Sequence, residues 1–428
     1  MKIAFFTLGC KVNQYESQEM ICRLKNKGYT IVDTKEEADI YVVNSCTVTA
    51  ESSRKTRQSL RKFRNEHPDS VIVLTGCYTQ AFTEETSAFE EADIVLGNKT
   101  NCLLEEKLDE FFTEKKRTVQ IEEHKKDDSY KGGIITDFDG HTRAFVKIQD
   151  GCNRYCTYCI IPKARGFSRS KPIEDIKKEV ELLAKEGYKE IVFVGINLSS
   201  YGKDIGLTIC DALQTAQDTD SIERIRLGSL EPDHITDEVI ERLSTMDKFC
   251  PQFHLSLQSG CDKTLKRMNR HYTKEEYLTL CKKLKDTFTD VSLTTDIIAG
   301  FPGETDEDFN ESIEFAKQTG FMKVHIFPFS AREGTPAAKY PDKVNNAKKA
   351  QRCAALQKEC DKIRDEFLSK YIGKTVEVLF ETPKGNIQSG YTPNYIHTCV
   401  ASDTPLIGQI HKVKITATNG DTCFGELI

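Results

Sequence analysis

Ala144-Phe145-Val146-Lys147-Ile148 runs into Gly151-Cys152-Asn153-Arg154-Tyr155-Cys156-Thr157-Tyr158-Cys159. The apolar run reads as a short buried strand, so the three cysteines, at i, i+4 and i+7, lie on the loop that leaves it. Three thiolates this close suit a soft metal or an iron–sulfur cluster. A structural zinc site wants a fourth Cys or His. The neighbouring cysteines in sequence are Cys102 and Cys210, and the nearest histidine is His141. A zinc loop completed from afar is the alternative. A four-iron cluster on three cysteines instead keeps one iron open to a ligand that is not protein.

The chain around this loop has 428 residues, which predicts two or three domains. Apolar residues make up 38%, enough for real cores, and no run reaches the roughly 18 apolar residues of a membrane helix. Thr7-Leu8-Gly9-Cys10 resembles a lipoprotein cleavage box, but the apolar stretch before it, Ile3 to Leu8, is too short for a signal peptide. Sixteen cysteines without an export signal are expected to be reduced, cytoplasmic and in part metal ligands. A net charge of −6 argues against a general nucleic-acid coat, so a phosphate-rich partner would be met by local basic patches.

Residues 1–120 alternate strand-like runs (Ile3 to Thr7, Ile40 to Asn44, Val71 to Thr75, Ile94 to Leu96) with helix-length segments. Asn13 to Lys27 is one, and Ala50 to His67, with Thr49 as N-cap, is another. This pattern predicts a parallel α/β domain, whose ligands gather outside the carboxyl ends of the strands. Three of those ends are followed at once by a cysteine: Cys10, Cys46 and Cys77. Cys10 and Cys77 each follow a glycine that lets the backbone turn tightly. The reading is a second metal site; three buried core cysteines are the alternative. The helix after Cys46 carries Arg54, Lys55, Arg57, Arg61, Lys62 and Arg64, either a solvated face or a grip on a phosphate backbone.

Residues 121–141 turn polar and read as a linker, with room for a short hairpin. From 142 to 342 a βα repeat predicts strands at Ala144 to Ile148, Ile191 to Gly195, Arg224 to Gly228, Phe253 to Leu257, Val291 to Ile298 and Met322 to Phe327. Its clearest helix is Pro172 to Lys185, with Ile173, Ile176, Val180 and Leu183 along one face. Six βα units make a partial (β/α)6 barrel rather than a full eight. Chemistry in such barrels lies at the C-terminal strand ends, where Gly195 and Asn197, Glu231, Gln258, and Asp296 to Gly303 fall. Two basic stretches leave the same rim: Lys163, Arg165, Arg169 and Lys171, and Lys263, Lys266, Arg267, Arg270 and Lys274 with Tyr272 interleaved. They are read as RNA grips, with solvated loops as the alternative. Residues 343–371 form a connecting segment with a long amphipathic helix, 344–370, on which Cys353 and Cys360 share a core face. Residues 372–428 alternate short strands and turns, a small β-barrel of the kind that often binds oligonucleotides. With four Lys against five acidic residues this last part is not basic.

Taken together, these parts resemble the methylthiotransferases of the radical S-adenosylmethionine superfamily, over the whole length. The Cys-x3-Cys-x2-Cys loop with Tyr158 before its last cysteine is similar to the superfamily's cluster loop. Cys10, Cys46 and Cys77 match the family's second-cluster domain, and the final barrel its TRAM module. Gly9-Cys10-Lys11-Val12-Asn13-Gln14 and Ser45-Cys46-Thr47-Val48-Thr49 look most like the branch acting on tRNA N6-threonylcarbamoyladenosine. The resemblance implies two 4Fe-4S clusters and S-adenosylmethionine as cofactors, and the tRNA anticodon arm and an electron-donor protein as partners. The activity implied is insertion of a methylthio group at carbon 2 of the adenine just 3′ of the anticodon.

That carbon bears an unactivated C–H bond beyond the reach of any side-chain acid or base, so a cofactor must carry the chemistry. On the resemblance, Cys152, Cys156 and Cys159 hold the cluster that cleaves S-adenosylmethionine to a 5′-deoxyadenosyl radical. Cys10, Cys46 and Cys77 hold the cluster that carries sulfur. Gly195, Asn197, Glu231, Gln258 and Asp296 are expected to line the S-adenosylmethionine pocket. Methylthiolation of tRNA isopentenyladenosine or of a ribosomal-protein aspartate are rival readings, as is an iron–sulfur RNA-binding protein without catalysis. Anaerobic release of 5′-deoxyadenosine separates the enzymes from the binder.

Overall fold

Runs of Ile, Val and Tyr without a polar break build a six-stranded parallel sheet at the N-terminal end. The computed structural model describes residues 1–138 and 142–428. The strands are β1 (Lys2–Thr7), β2 (Thr30–Val32), β3 (Ile40–Ser45), β4 (Val71–Gly76), β5 (Ile94–Leu96) and β6 (Thr118–Gln120), in the order β2-β1-β3-β4-β5-β6. Every residue of β3 and β4 is buried, as in a sheet covered on both faces. Helices Lys11–Asn26 and Leu104–Glu114 cover one face through Met20, Leu24, Leu104 and Leu108. Helix Ala50–Glu66 covers the other through Leu60 and Phe63. Its Thr49 side chain accepts from the Ser52 N–H, which makes Thr49 the expected N-cap. The edge strands β2 and β6 escaped the sequence reading because Thr30-Ile31-Val32 and Thr118-Val119-Gln120 are partly exposed and broken by polar residues, unlike the wholly apolar Ile94-Val95-Leu96 of β5.

The central sheet follows the predicted strands closely: β7 (Arg143–Asp150), a two-residue β8 (Arg169–Ser170), β9 (Glu190–Gly195), β10 (Arg224–Leu227), a two-residue β11 (Ser229–Leu230), β12 (Gln252–Leu255), β13 (Ser292–Ala299) and β14 (Lys323–Pro328). The segments β8-β7-β9-β10 and β11-β12-β13-β14 are joined where Ile225 bridges Phe249, giving one curled, open barrel. Only β8 runs antiparallel to its neighbour. Ile176, Val180 and Leu183 of helix Ile173–Lys185 pack with Ala144, Val146 and Ile148 of β7, the face the periodicity predicts.

A long helix, Asn346–Ser369, packs on this barrel and buries Leu356 and Cys360 in its core, with Cys353 against it. Beyond it β15 (Thr375–Lys384), β16 (Ile387–Tyr391), β17 (His397–Ala401), β18 (Ile410–Asn419) and β19 (Thr422–Leu427) close a barrel in the order β15-β16-β17-β19-β18. This small barrel docks under the N-terminal strand ends of the large one. Arg224 donates to the Tyr391 carbonyl at 2.9 Å, Arg226 to that of Pro393 at 2.9 Å, and the Ser292 hydroxyl to that of Asn394 at 2.5 Å. The floor of the large barrel is therefore closed opposite the cysteine loop.

The segment expected to be a linker is a strap. His124 reaches Asn98 at 3.0 Å, the Tyr130 hydroxyl donates to the Lys147 carbonyl at 2.7 Å, and Ile135 and Phe138 are buried. No strand pair forms among its described residues, so the hairpin is absent there; residues 139–141, including His141, lie outside them.

Candidate functional site

Cys152, Cys156 and Cys159 sit on the loop leaving β7, as read from the sequence. The loop is fixed from several sides: the Cys152 N–H donates to the Gly166 carbonyl at 3.0 Å and the Thr157 N–H to that of Met268 at 3.0 Å. The Thr157 carbonyl in turn accepts from the Ala337 N–H at 2.8 Å. Cys156 is buried and its Sγ accepts from Arg270 at 3.3 Å, while Asn197 points its Nδ2 at the Cys152 sulfur at 3.8 Å. Burial pushes the Cys152 thiol up to about 11 and the Cys159 thiol up to about 12. Bound metal would reverse this, because a coordinating thiol is deprotonated.

Cys10, Cys46 and Cys77 are brought together by the sheet register. Thr7 pairs with Asn44 and Asn44 with Thr75, so the three strands end level and each releases its cysteine at one edge. Gly9 has φ +115°, and a Cβ built on it would stand 2.9 Å from the Cys46 Cβ, so only glycine lets the first loop close on the second. Gly76, at φ +104°, makes the same turn before Cys77. Asn13 Oδ1 lies 3.5 Å from the Cys10 sulfur and 3.9 Å from that of Cys77. Burial drives the Cys77 thiol up to about 12, against the pull of Arg165, whose Nε sits 3.2 Å from its sulfur.

The cysteine-bearing parts of the two domains adjoin at the domain boundary. Cys77 and Ala81 pack directly on Ile160 and Ala164, the helix that follows the Cys159 loop. Arg165 ends that helix and crosses to the N-terminal domain to bond Glu16 at 2.6 Å, while holding Asp150 of β7 at 3.0 Å. Lys147 meets the same carboxylates at 2.7 and 2.9 Å. Burial pushes Glu16 up, but Arg165 and Lys147 outweigh it and hold it below its ordinary value. Among the described residues no three His, Cys, Asp or Glu side chains are drawn onto a metal-sized point. The donor chemistry nevertheless fits. Each set is three thiols with no carboxylate among them, and beside the loop set the buried Asn197 Oδ1 has no hydrogen-bond partner, an acceptor left for a guest.

The expected pocket residues divide. Asn197 lies beside Cys152, with its N–H donating to Gln149 at 2.7 Å, and Gly195 pairs with Gln149 at the end of β9. Glu231 is paired with Arg270 and Arg154 beside Cys156. Gln258, at φ +72°, bridges the β13 backbone through Asp296 and Ile298. Asp296 lies inside the barrel, paired with His254 at 3.2 Å.

Each rim basic stretch is corrected in part, with Lys163 and Lys266 left exposed. Arg165, Arg169 and Lys171 are buried in ion pairs with Glu16, Asp150 and Glu179. Arg270 is buried against Cys156, and Tyr272 is buried with its hydroxyl donating to the Ser256 and Leu257 carbonyls. Lys263 pairs with Asp308 and Lys274 with Glu311. A count of charges along the chain cannot tell a solvated cation from a buried counter-ion. On helix Ala50–Glu66, Arg54, Arg57, Arg61, Lys62 and Arg64 all have acidic partners, mostly at the surface. Sequence reasoning missed Glu16, Asn13 and Arg154 altogether. Asn13 lies inside the quoted Gly9–Gln14 run, three residues after Cys10, so its spacing was the available signal.

The chain matches the family model of the radical SAM superfamily over residues 146–316, that described as Uncharacterized protein family UPF0004 over 2–97, and the TRAM domain over 369–428. It is 39% identical to the threonylcarbamoyladenosine tRNA methylthiotransferase MtaB of Bacillus subtilis, covering 96% of this chain and 93% of that one. The chain belongs to the radical S-adenosylmethionine methylthiotransferase family. Within the family it is also 36% identical to the Thermotoga maritima MtaB over 99% of its length. A tRNA-2-methylthio-N(6)-dimethylallyladenosine synthase of Clostridium botulinum likewise stands at 36% over 99%. The fold resembles that of the radical S-adenosylmethionine methyltransferase TsrM of Kitasatospora setae, with a TM-score of 0.57 at 14% identity over 79% of this chain and 75% of that one. Membership brings a 4Fe-4S cluster and S-adenosylmethionine as cofactors. Among the described residues no helix is long and apolar enough to cross a membrane.

Proposed function

We propose that this enzyme inserts a methylthio group at carbon 2 of N6-threonylcarbamoyladenosine beside the anticodon of tRNA. The observation that carries the reading is that two separate sets of three cysteines lie on adjoining domains, with Arg165 of the central domain bonded to Cys77 and to Asp150 at the foot of the cysteine loop. Cys152, Cys156 and Cys159 would hold one 4Fe-4S cluster, and Cys10, Cys46 and Cys77 a second. Bound there, the clusters and S-adenosylmethionine supply one-electron cleavage, hydrogen abstraction and the sulfur to be transferred.

The chain's own part is to bind, orient and exclude water. Arg270 places a fixed positive charge at the Cys156 sulfur and anchors Glu231, while Asn197 offers a buried amide oxygen beside Cys152. Gly195 lets the Gln149 side chain lie close against β9, since a Cβ there would meet it at 3.0 Å. The closed small barrel supplies the RNA-binding module. The electron comes from a partner protein, and the reaction belongs in the cytosol, where tRNA and reduced thiols coexist.

Nucleoside mass spectrometry of tRNA from a strain lacking this chain tests the reading. Loss of the methylthiolated threonylcarbamoyladenosine, restored by the wild-type chain but not by Cys156→Ala, is expected. Loss of methylthiolated isopentenyladenosine instead would assign the chain to the other tRNA branch.

A further inference from the structure

Behind Cys10 the interior of the large barrel is hollow. A cavity of about 840 Å³ runs from Cys10 and Gly195 at one end to Gln252, Tyr391 and Tyr395 on the floor. Its size falls within the roughly 300–1,000 Å³ of ordinary small-molecule sites. The walls are polar and charged, but the charges are almost all spoken for. Arg226 is bonded to Glu190 at 2.7 Å, Arg364 to Asp361 at 2.9 Å, and Lys323 lies 3.7 Å from Asp421. Asp296 is held by His254 at 3.2 Å.

Lys11 is the exception. It follows Cys10 directly, is half-buried, and stands over the Phe145 ring at 5.5 Å. Among the described residues it makes no ion pair or hydrogen bond; Glu190 and the Tyr395 phenol act on it only through space, against Arg143 and Arg226. An ammonium withdrawn from water without a counter-ion is costly. This one leaves a positive charge without an ion pair further along the cavity from Cys10, towards the floor where Tyr395, Arg143 and Arg226 stand. We infer that Lys11 receives the carboxylate of the N6 substituent of the substrate base, and so selects an adenosine with an acidic side arm over one with an apolar arm. The inference rests on the function proposed above.

The chemistry of the substrate supports the placement. Carbon 2 and the N6 substituent lie on the same Watson–Crick edge of adenine. A base that presents carbon 2 towards Cys10 has room to send its substituent along the cavity towards the Lys11 ammonium. A threonylcarbamoyl arm ends in a carboxylate, which a lysine binds as a point charge. An isopentenyl arm has no charge and would leave the ammonium desolvated and unpaired, which is how a polar site rejects an apolar analogue.

The test is binding of anticodon stem-loops to the cluster-loaded full chain under anaerobic conditions. Three hairpins are compared: unmodified adenosine, threonylcarbamoyladenosine, and the same arm with its carboxylate methyl-esterified. The wild-type chain should bind the acid more tightly than the ester on the order of 10–100-fold, the span of a charge-assisted hydrogen bond. Lys11→Met should bring that ratio close to one, and Lys11→Arg should keep most of it. Equal binding of acid and ester by the wild type overturns the inference without any variant having to fold, even where the acid hairpin is still methylthiolated. A full acid preference in Lys11→Met also overturns it. A wild type that methylthiolates an isopentenyladenosine hairpin and ignores the acid overturns the function proposed above instead.

Discussion

Cys152, Cys156 and Cys159 come from one loop, whereas Cys10, Cys46 and Cys77 come from three strand ends that only the folded sheet brings level. The first triad needs one strand and one turn, so its spacing is written in the sequence. The second needs the register of β1, β3 and β4 and two glycines at positive φ, so no local spacing rule describes it. A local triad has its spacing set by the chain itself, with Met268, Arg270 and Ala337 only bracing the loop. A dispersed triad is only as firm as the sheet that carries it.

That contrast can be broken from either side. Cys156→Ala removes one of three ligands from the local loop, and S-adenosylmethionine cleavage should fall to background while the other triad keeps its iron, about half of the total. Anaerobic 5′-deoxyadenosine assays with iron determination check this. Loss of all iron would mean that the two triads are not independent.

Arg165 is the side chain the two regions share. Arg165→Met would leave Glu16 and Asp150 with Lys147 as their main partner, and removing one member of a buried ionic network costs about 3–5 kcal/mol. Urea unfolding of the iron-free chain measures it. The N-terminal sheet should open at lower urea than the central barrel, because the dispersed triad has lost its tie to the loop. Unchanged unfolding would make the network incidental.

The smallest effect is expected on helix Ala50–Glu66, which adjoins the dispersed triad. Arg57 and Arg61 already have Glu85 and Glu91 as surface partners. Exposed pairs of this kind hold by only about 0–1 kcal/mol and can be exchanged for phosphate. If they are exchanged, neutralising both to Gln weakens tRNA binding across sequences and flattens the salt dependence by up to roughly 0.7–0.9 log units per lost contact. An unchanged slope makes them ordinary surface ion pairs.

How far the chain could be read in advance follows the same division. Periodicity and apolar runs were enough for the central strands, the face of helix Ile173–Lys185 and the long helix Asn346–Ser369, because each signal is local. The strap at 121–138 was misread because its polar composition hides contacts with Lys147 and Asn98 that exist only after folding. Arg165 and Arg270 looked like RNA contacts because sequence gives charge but not burial. The loop triad was legible from spacing. The dispersed triad was legible only through its repeated place after strands; Asn13 offered only its spacing from Cys10, and Glu16 and Arg154, which need three-dimensional neighbours, were not legible at all.

The central claim is that the three strand-end cysteines form a second cluster site with a role of its own. Cys46→Ala tests it most directly, with iron, 5′-deoxyadenosine and methylthiolated nucleoside measured on one anaerobic preparation. The account predicts about half the wild-type iron, retained cleavage of S-adenosylmethionine, and no sulfur attached to tRNA. Full iron content with normal methylthiolation would contradict it and leave Cys10, Cys46 and Cys77 as core cysteines.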